Sequence, residues 1–143
     1  MVKQPVSRIR PALVGGVLIA LGVLTMGLSI YFLGFRPPLL PEDVRYIGGN
    51  PQALSPALRD WLGIVFNTWG GFIAGYGTML TGAGVFMLTG RNSWLIRATA
   101  LSLLIVFGRF LYSNIVLSSD FLWVIAGLFA LSLAAIYLLI VEL

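Results

Sequence analysis

The sequence predicts an all-α integral membrane protein built as a single four-helix transmembrane bundle. Three observations lead there: four long apolar segments lie within 143 residues, 59% of the chain is hydrophobic, and only 10% is charged. A helix crosses a bilayer with about 20 mostly apolar residues. A soluble domain carries roughly 25% charged residues, so this surface must face lipid. The predicted spans are residues 12–35, 61–88, 94–117 and 121–141, which use up nearly the whole chain. One unit, 1–143, follows, with an N-terminal tail, an outer loop at 36–60 and two short turns.

The tail carries Lys3, Arg8 and Arg10. The first span, Ala12–Phe35, is too long for a signal-peptide core and lacks a small-residue cleavage pattern, so it reads as an uncleaved anchor. Pro37, Pro38 and Pro41 stop it. Pro41–Ile47 then forms a short helix, with Pro and two acids in its first turn and Gly48-Gly49 to end it. This loop is either a lid lying on the bilayer or a docking site for a partner. Ser55 and Pro56 supply an N-cap and a first helical position, so the second helix starts before the membrane does. Its span, Trp61–Leu88, is about 42 Å long as a helix against a core of about 30 Å. It therefore tilts, or its first turns stand in the interface. Trp61, Trp69, Trp94 and Trp123 lie near span boundaries, as an aromatic belt requires.

Lys3, Arg8, Arg10, Arg91 and Arg97 fall on one side, and Arg36, Arg45 and Arg59 on the other. The excess predicts both termini in the cytoplasm. Eight of the nine basic residues are Arg, which hints at a bacterial source and hence an inner (plasma) membrane. The net charge of +4 is spread over loops and helix ends, where it serves orientation and anionic head groups; nucleic acid is not an expected partner.

Cysteine and histidine are both absent. That removes thiolate chemistry, the common haem and zinc ligands, and the one side chain that titrates near neutrality unaided; no cofactor or metal is expected. No Asp, Glu or Lys lies within a span, whereas proton-coupled carriers use such groups as relays. Small multidrug transporters place an acid in their first helix; here that helix offers only Thr25 and Ser29. Hydrolase signatures are missing too, so an enzyme is not the expectation.

Two constellations remain. Gly63, Gly70, Gly77 and Gly84 recur every seven residues in the second span, with Asn67, Ala74 and Thr81 between them at the same period. The alternation of four and three puts all seven on one helix face. In lipid, small residues let helix backbones approach closely, so this seam packs within the bundle, joins copies or partners, or accepts a lipid. The fourth span offers a candidate match in Ala126, Ala130 and Ala134, and Gly71 and Gly75 form a second small pair on another face. Arg109 is the one charge well inside a span, with Tyr112 and Ser113 on its face and Asn67 at a comparable level on the second span. It either snorkels to the head groups or contacts an anionic lipid or substrate.

The stretch Leu40-Pro41-Glu42-Asp43-Val44-Arg45-Tyr46-Ile47-Gly48, with Asn67–Gly77 after it, resembles small bacterial four-helix membrane proteins, loosely DoxX-like. The resemblance covers about a third of the chain and implies the topology. Phe66-Asn67-Thr68 stands where many of those proteins carry His-Asp-Arg, so no catalytic residue is implied. The expected role is a non-catalytic accessory or scaffold subunit of a larger membrane assembly, in contact with lipid and with other subunits or copies of itself. The alternative is a small transporter, channel or lipid-binding protein that uses Arg109.

Overall fold

A computed structural model describes residues 9–50 and 54–141. Helix α1 (Ile9–Ile30) runs into a π turn at Tyr31–Phe35. Next come the short α2 (Pro41–Tyr46) and the long α3 (Pro56–Thr89), followed by α4 (Ser93–Val116) and α5 (Leu122–Val141). Four segments are long and apolar enough to cross a membrane: Pro11–Phe35, α3, α4 and α5. The protein is an all-α, multi-pass bundle, with no strand among the described residues.

The helix ends follow from local chemistry. In the π turn, the Arg36 N–H donates to the Tyr31 carbonyl, five residues back, at 2.8 Å. The Leu33 carbonyl would take its helical donor from residue 37 or 38, and both are proline, so it is left without one. At the start of α2 the Leu40 N–H donates to Asp43 Oδ2 at 2.8 Å. The helix closes in a Schellman motif: Gly49 N–H donates to the Val44 carbonyl, with Gly48 and Gly49 at φ +91° and +89°. Ser55 Oγ caps α3 by accepting from Leu58 N–H, and Asn92 Oδ1 caps α4 from Leu95 N–H. A second Schellman motif ends α4, where Ser119 N–H reaches the Asn114 carbonyl and Ser118, at φ +47°, occupies the position glycine usually takes.

The helices pack as two antiparallel pairs, α1 with α3 and α4 with α5; the pairs meet mainly along α1 and α5. Leu18, Leu21, Leu103, Phe107 and Leu139 fill the centre. Three buried hydroxyls are satisfied within their own helices: Thr25 donates to the Leu21 carbonyl at 2.7 Å, Ser29 to Met26 at 2.6 Å and Ser132 to Phe129 at 2.7 Å. Tyr76 and Ser102, 3.2 Å apart through their hydroxyls, tie α3 to α4. Only 22–39% of the most apolar window of each span lies inside the bundle, so most of the span surface faces outward.

Candidate functional site

Three of the seam glycines are buried against α1. A Cβ on Gly84 would lie 2.8 Å from the Gly15 carbonyl oxygen, and one on Gly77 would lie 2.8 Å from that of Gly22. The approach is mutual, since a Cβ on Gly15 would meet the Gly84 oxygen at 2.8 Å and one on Gly22 the Gly77 oxygen at 2.7 Å. Gly70 faces Leu33 and Phe32. Ala74 and Thr81 are half-buried between these levels, and Thr81 Oγ1 donates to the Gly77 carbonyl. Gly63 meets only Pro38, at 4.0 Å. The seam's neighbour is thus α1 and not the alanine stripe of the fourth span: Ala130 and Ala134 are exposed and Ala126 is half-buried. The complementary row, Gly15 and Gly22, stands in the sequence at the same seven-residue interval, continued by the buried Ser29. That interval was the available signal.

The structure does not bring the four residues around Arg109 into one site. Asn67 turns to the π turn that follows α1, where its Nδ2 donates to the Leu33 carbonyl at 3.0 Å, the acceptor that the prolines had deprived of a partner. Arg109 faces outward with its guanidinium 5.0 Å from the Tyr112 ring centre. Tyr112 lies one turn nearer the end of α4, so the side chain bends towards that end rather than along the N-terminal direction of its Cα–Cβ bond. Ser113 is half-buried, and the neighbouring Asn114 donates to the Phe110 carbonyl. No carboxylate among the described residues lies within 4.0 Å of Arg109.

The densest polar chemistry lies at the lid end. The Arg36 side chain is buried: its Nη2 pairs with Asp43 Oδ2 at 2.8 Å, Nη1 donates to the Pro37 carbonyl at 3.0 Å, and the guanidinium carbon lies over Phe66, 3.3 Å from the ring centre. The side chains of Arg36 and Asp43 are 4% and 13% exposed, which sets this pair apart from Arg45–Asp120 at 52% and 63%. Arg45 Nη2 reaches both Asp120 Oδ1, at 2.9 Å, and the Ser118 carbonyl, at 3.2 Å. Ser119 Oγ donates to the buried Glu42 Oε1 at 2.9 Å and accepts from Phe121 N–H at 3.1 Å; Glu42 Oε2 has no partner among the described residues. Helix α2 is thereby pinned to the end of α1 on one side and to the α4–α5 turn on the other. Sequence reasoning took Arg36 as an orientation charge. No side-chain pattern signals its burial, since two of its acceptors are the Pro37 and Pro38 backbone carbonyls.

Under the lid is an apolar cavity of about 260 Å³, lined by side chains of α2, the first turns of α3 and the end of α4. No group of three or more His, Cys, Asp or Glu that could hold a metal occurs among the described residues. Compared with known proteins, the chain matches no family model, no curated protein and no solved structure.

Proposed function

We propose that the protein is a non-catalytic accessory or scaffold subunit of a larger membrane assembly, set in the inner membrane of a bacterium. The observation that carries this reading is a second small-residue row on α3, turned away from α1. Gly71, Gly75 and Gly82 are exposed, and a Cβ added to any of them would meet nothing within 4 Å. Thr78 continues the alternation of four and three at the edge of the row nearest α1, where its Oγ1 lies 3.7 Å from Met26 Sδ; Phe72 and Met79 flank the row at 75% and 73% exposure. Glycine in a helix interior costs about 1 kcal/mol relative to alanine. Where the bundle itself does not use the space, the cost is offset when another helix comes close. The test is a comparison of wild type with Gly75→Leu after purification in mild detergent. The variant should keep the wild-type melting temperature and lose the co-purifying subunit or the higher-order species on gel filtration. A wild-type protein that runs as a bare monomer, or a Gly75→Leu assembly of unchanged size, would refute the reading.

A second reading, contact between Arg109 and an anionic head group or substrate, is favoured by that residue's lack of an acidic partner and by its bend towards Tyr112. Arg109 stands seven residues before the end of α4, roughly 10 Å along the axis, within reach of the lid-side head groups. Arg109→Gln should reduce retention of phosphatidylglycerol in native mass spectrometry without lowering thermal stability. Unchanged lipid occupancy would leave Arg109 as a snorkelling charge and nothing more.

A further inference from the structure

We infer that the cavity under the lid seats one hydrocarbon chain of a phospholipid from the lid-side leaflet. Its floor is a single face of α3, with Leu58, Leu62 and Phe66 spaced four apart, and Leu117, the residue just past α4, lines it as well. Leu39 and Ile47 close it from the lid.

This space is held open by polar struts. Arg36, over the Phe66 ring and paired with Asp43, fixes one flank. The bonds from Arg45 to Asp120 and the Ser118 carbonyl, together with that from Ser119 to Glu42, fix the other. The lid cannot sink onto α3 without breaking them. The struts do not make the cavity hospitable to water. Asp43 is the one carboxylate in its wall, and its Oδ2 already accepts from Arg36 and from the Leu40 N–H. The space is open on one side, so the surrounding layer decides what fills it, and an almost wholly apolar wall favours an apolar occupant over water.

The position of the cavity selects the apolar molecule. Helix α3 has 34 residues, about 51 Å of helix against a hydrocarbon core of about 30 Å. The excess length, on the end that carries the lid, places its first turns where lipid chains meet head groups. Trp61, between Leu58 and Leu62, is 56% exposed, as an interfacial indole is. Leu58 and Ile47 are also partly open to the outside, so the mouth faces this layer. The volume narrows the choice further. Small-molecule sites run to about 300–1,000 Å³; this one, at about 260 Å³, admits a length of single chain and is too small for a whole lipid.

The test uses the full chain in nanodiscs of palmitoyl-oleoyl phosphatidylglycerol, with a trace of the same lipid carrying a diazirine on its acyl chain. Photolabelling should concentrate on the peptides bearing Leu39, Ile47, Leu58 and Leu62. Leu62→Trp, which fills the cavity, should cut labelling there at least tenfold, while Ile105→Trp, on the outward face of α4, should leave it unchanged. Because Leu62→Trp could disturb folding, the wild-type map decides alone if that variant melts early. Labelling spread evenly over all four spans would overturn the inference, as would a cavity found filled by free fatty acid or by peptide in native mass spectrometry. Neither result depends on whether Gly75 meets a partner subunit.

Discussion

Asn67 and Arg36 illustrate how single side chains complete what two prolines leave undone. Pro37 and Pro38 remove the N–H groups that would cap the last carbonyls of the first span, and the Asn67 amide replaces one of them at Leu33, while the Arg36 guanidinium donates to the carbonyls of the two prolines themselves. Asn67→Ala leaves the Leu33 carbonyl unsatisfied and should cost about 1–2 kcal/mol, read as a lower melting temperature in detergent. Adding Pro37→Ala restores an N–H four residues after Leu33 and should recover part of that loss; strictly additive effects would separate Asn67 from the proline break. Arg36→Ala strips Asp43 of its buried partner and should cost about 3 kcal/mol, whereas Arg45→Ala, at an exposed pair, should cost less than about 1 kcal/mol. Equal effects of the two arginines on thermal unfolding would contradict the burial difference. From the sequence alone Asn67 was visible only as a member of the seam and as a neighbour of Arg109. Its true partner is a backbone carbonyl, and no side-chain pattern encodes such an acceptor; the proline pair is the only trace of it.

At the scale of the helices, the glycine seam of α3 was legible because a seven-residue period fixes a face whatever the neighbour is. The neighbour was not. The loop of some 25 residues between the first two spans obscured that α1 and α3 lie side by side, and the short turn at Gly90–Asn92 joins two helices, α3 and α4, that touch only briefly. Turn length constrains which helices can meet but does not decide which ones pack. Close packing here comes from the matching intervals of Gly15 and Gly22 with Gly84 and Gly77. Replacing Gly70 and Gly77 by Leu puts side chains into the Leu33 side chain and the Gly22 carbonyl. Overpacking alone costs about 1–3 kcal/mol per site, and a backbone atom cannot step aside as a side-chain tip can. The double variant should therefore lose monomer heat-resistance in detergent, and Gly77→Leu should account for most of the loss. Gly71→Leu, with open space around it, should leave the monomer's melting temperature unchanged. Equal tolerance of all three substitutions would mean that the two backbones are not in contact in the membrane.

At the scale of the whole molecule, four spans could be counted from apolar run lengths because the bilayer sets a minimum length that few other structures need. Caps and not hydropathy decide where a helix starts: Ser55 begins α3 well before Trp61, as the Ser55-Pro56 pair predicts. The structure also sorts the loops by side. Helix α2 and the α4–α5 turn share one end, joined by Arg45 and Asp120, and Gly90 and Arg91 lie beside Pro11 and Leu139 at the other. Which end meets the cytoplasm rests on charge. Five basic residues, Lys3, Arg8, Arg10, Arg91 and Arg97, fall on the side of the termini, against three on the lid side. Reporters fused before Met1 and after Leu143 should both read cytoplasm, and one inserted between Gly49 and Asn50 should read the outside. The same count makes the bias breakable. Replacing Lys3, Arg8 and Arg10 by Gln leaves two basic residues against three, so a measurable fraction of the chains should insert with the lid in the cytoplasm. If that triple variant keeps one orientation, the tail charges do not set the topology. If the wild-type lid reporter already reads cytoplasm, the orientation is inverted, and the leaflet that serves the cavity is the inner one.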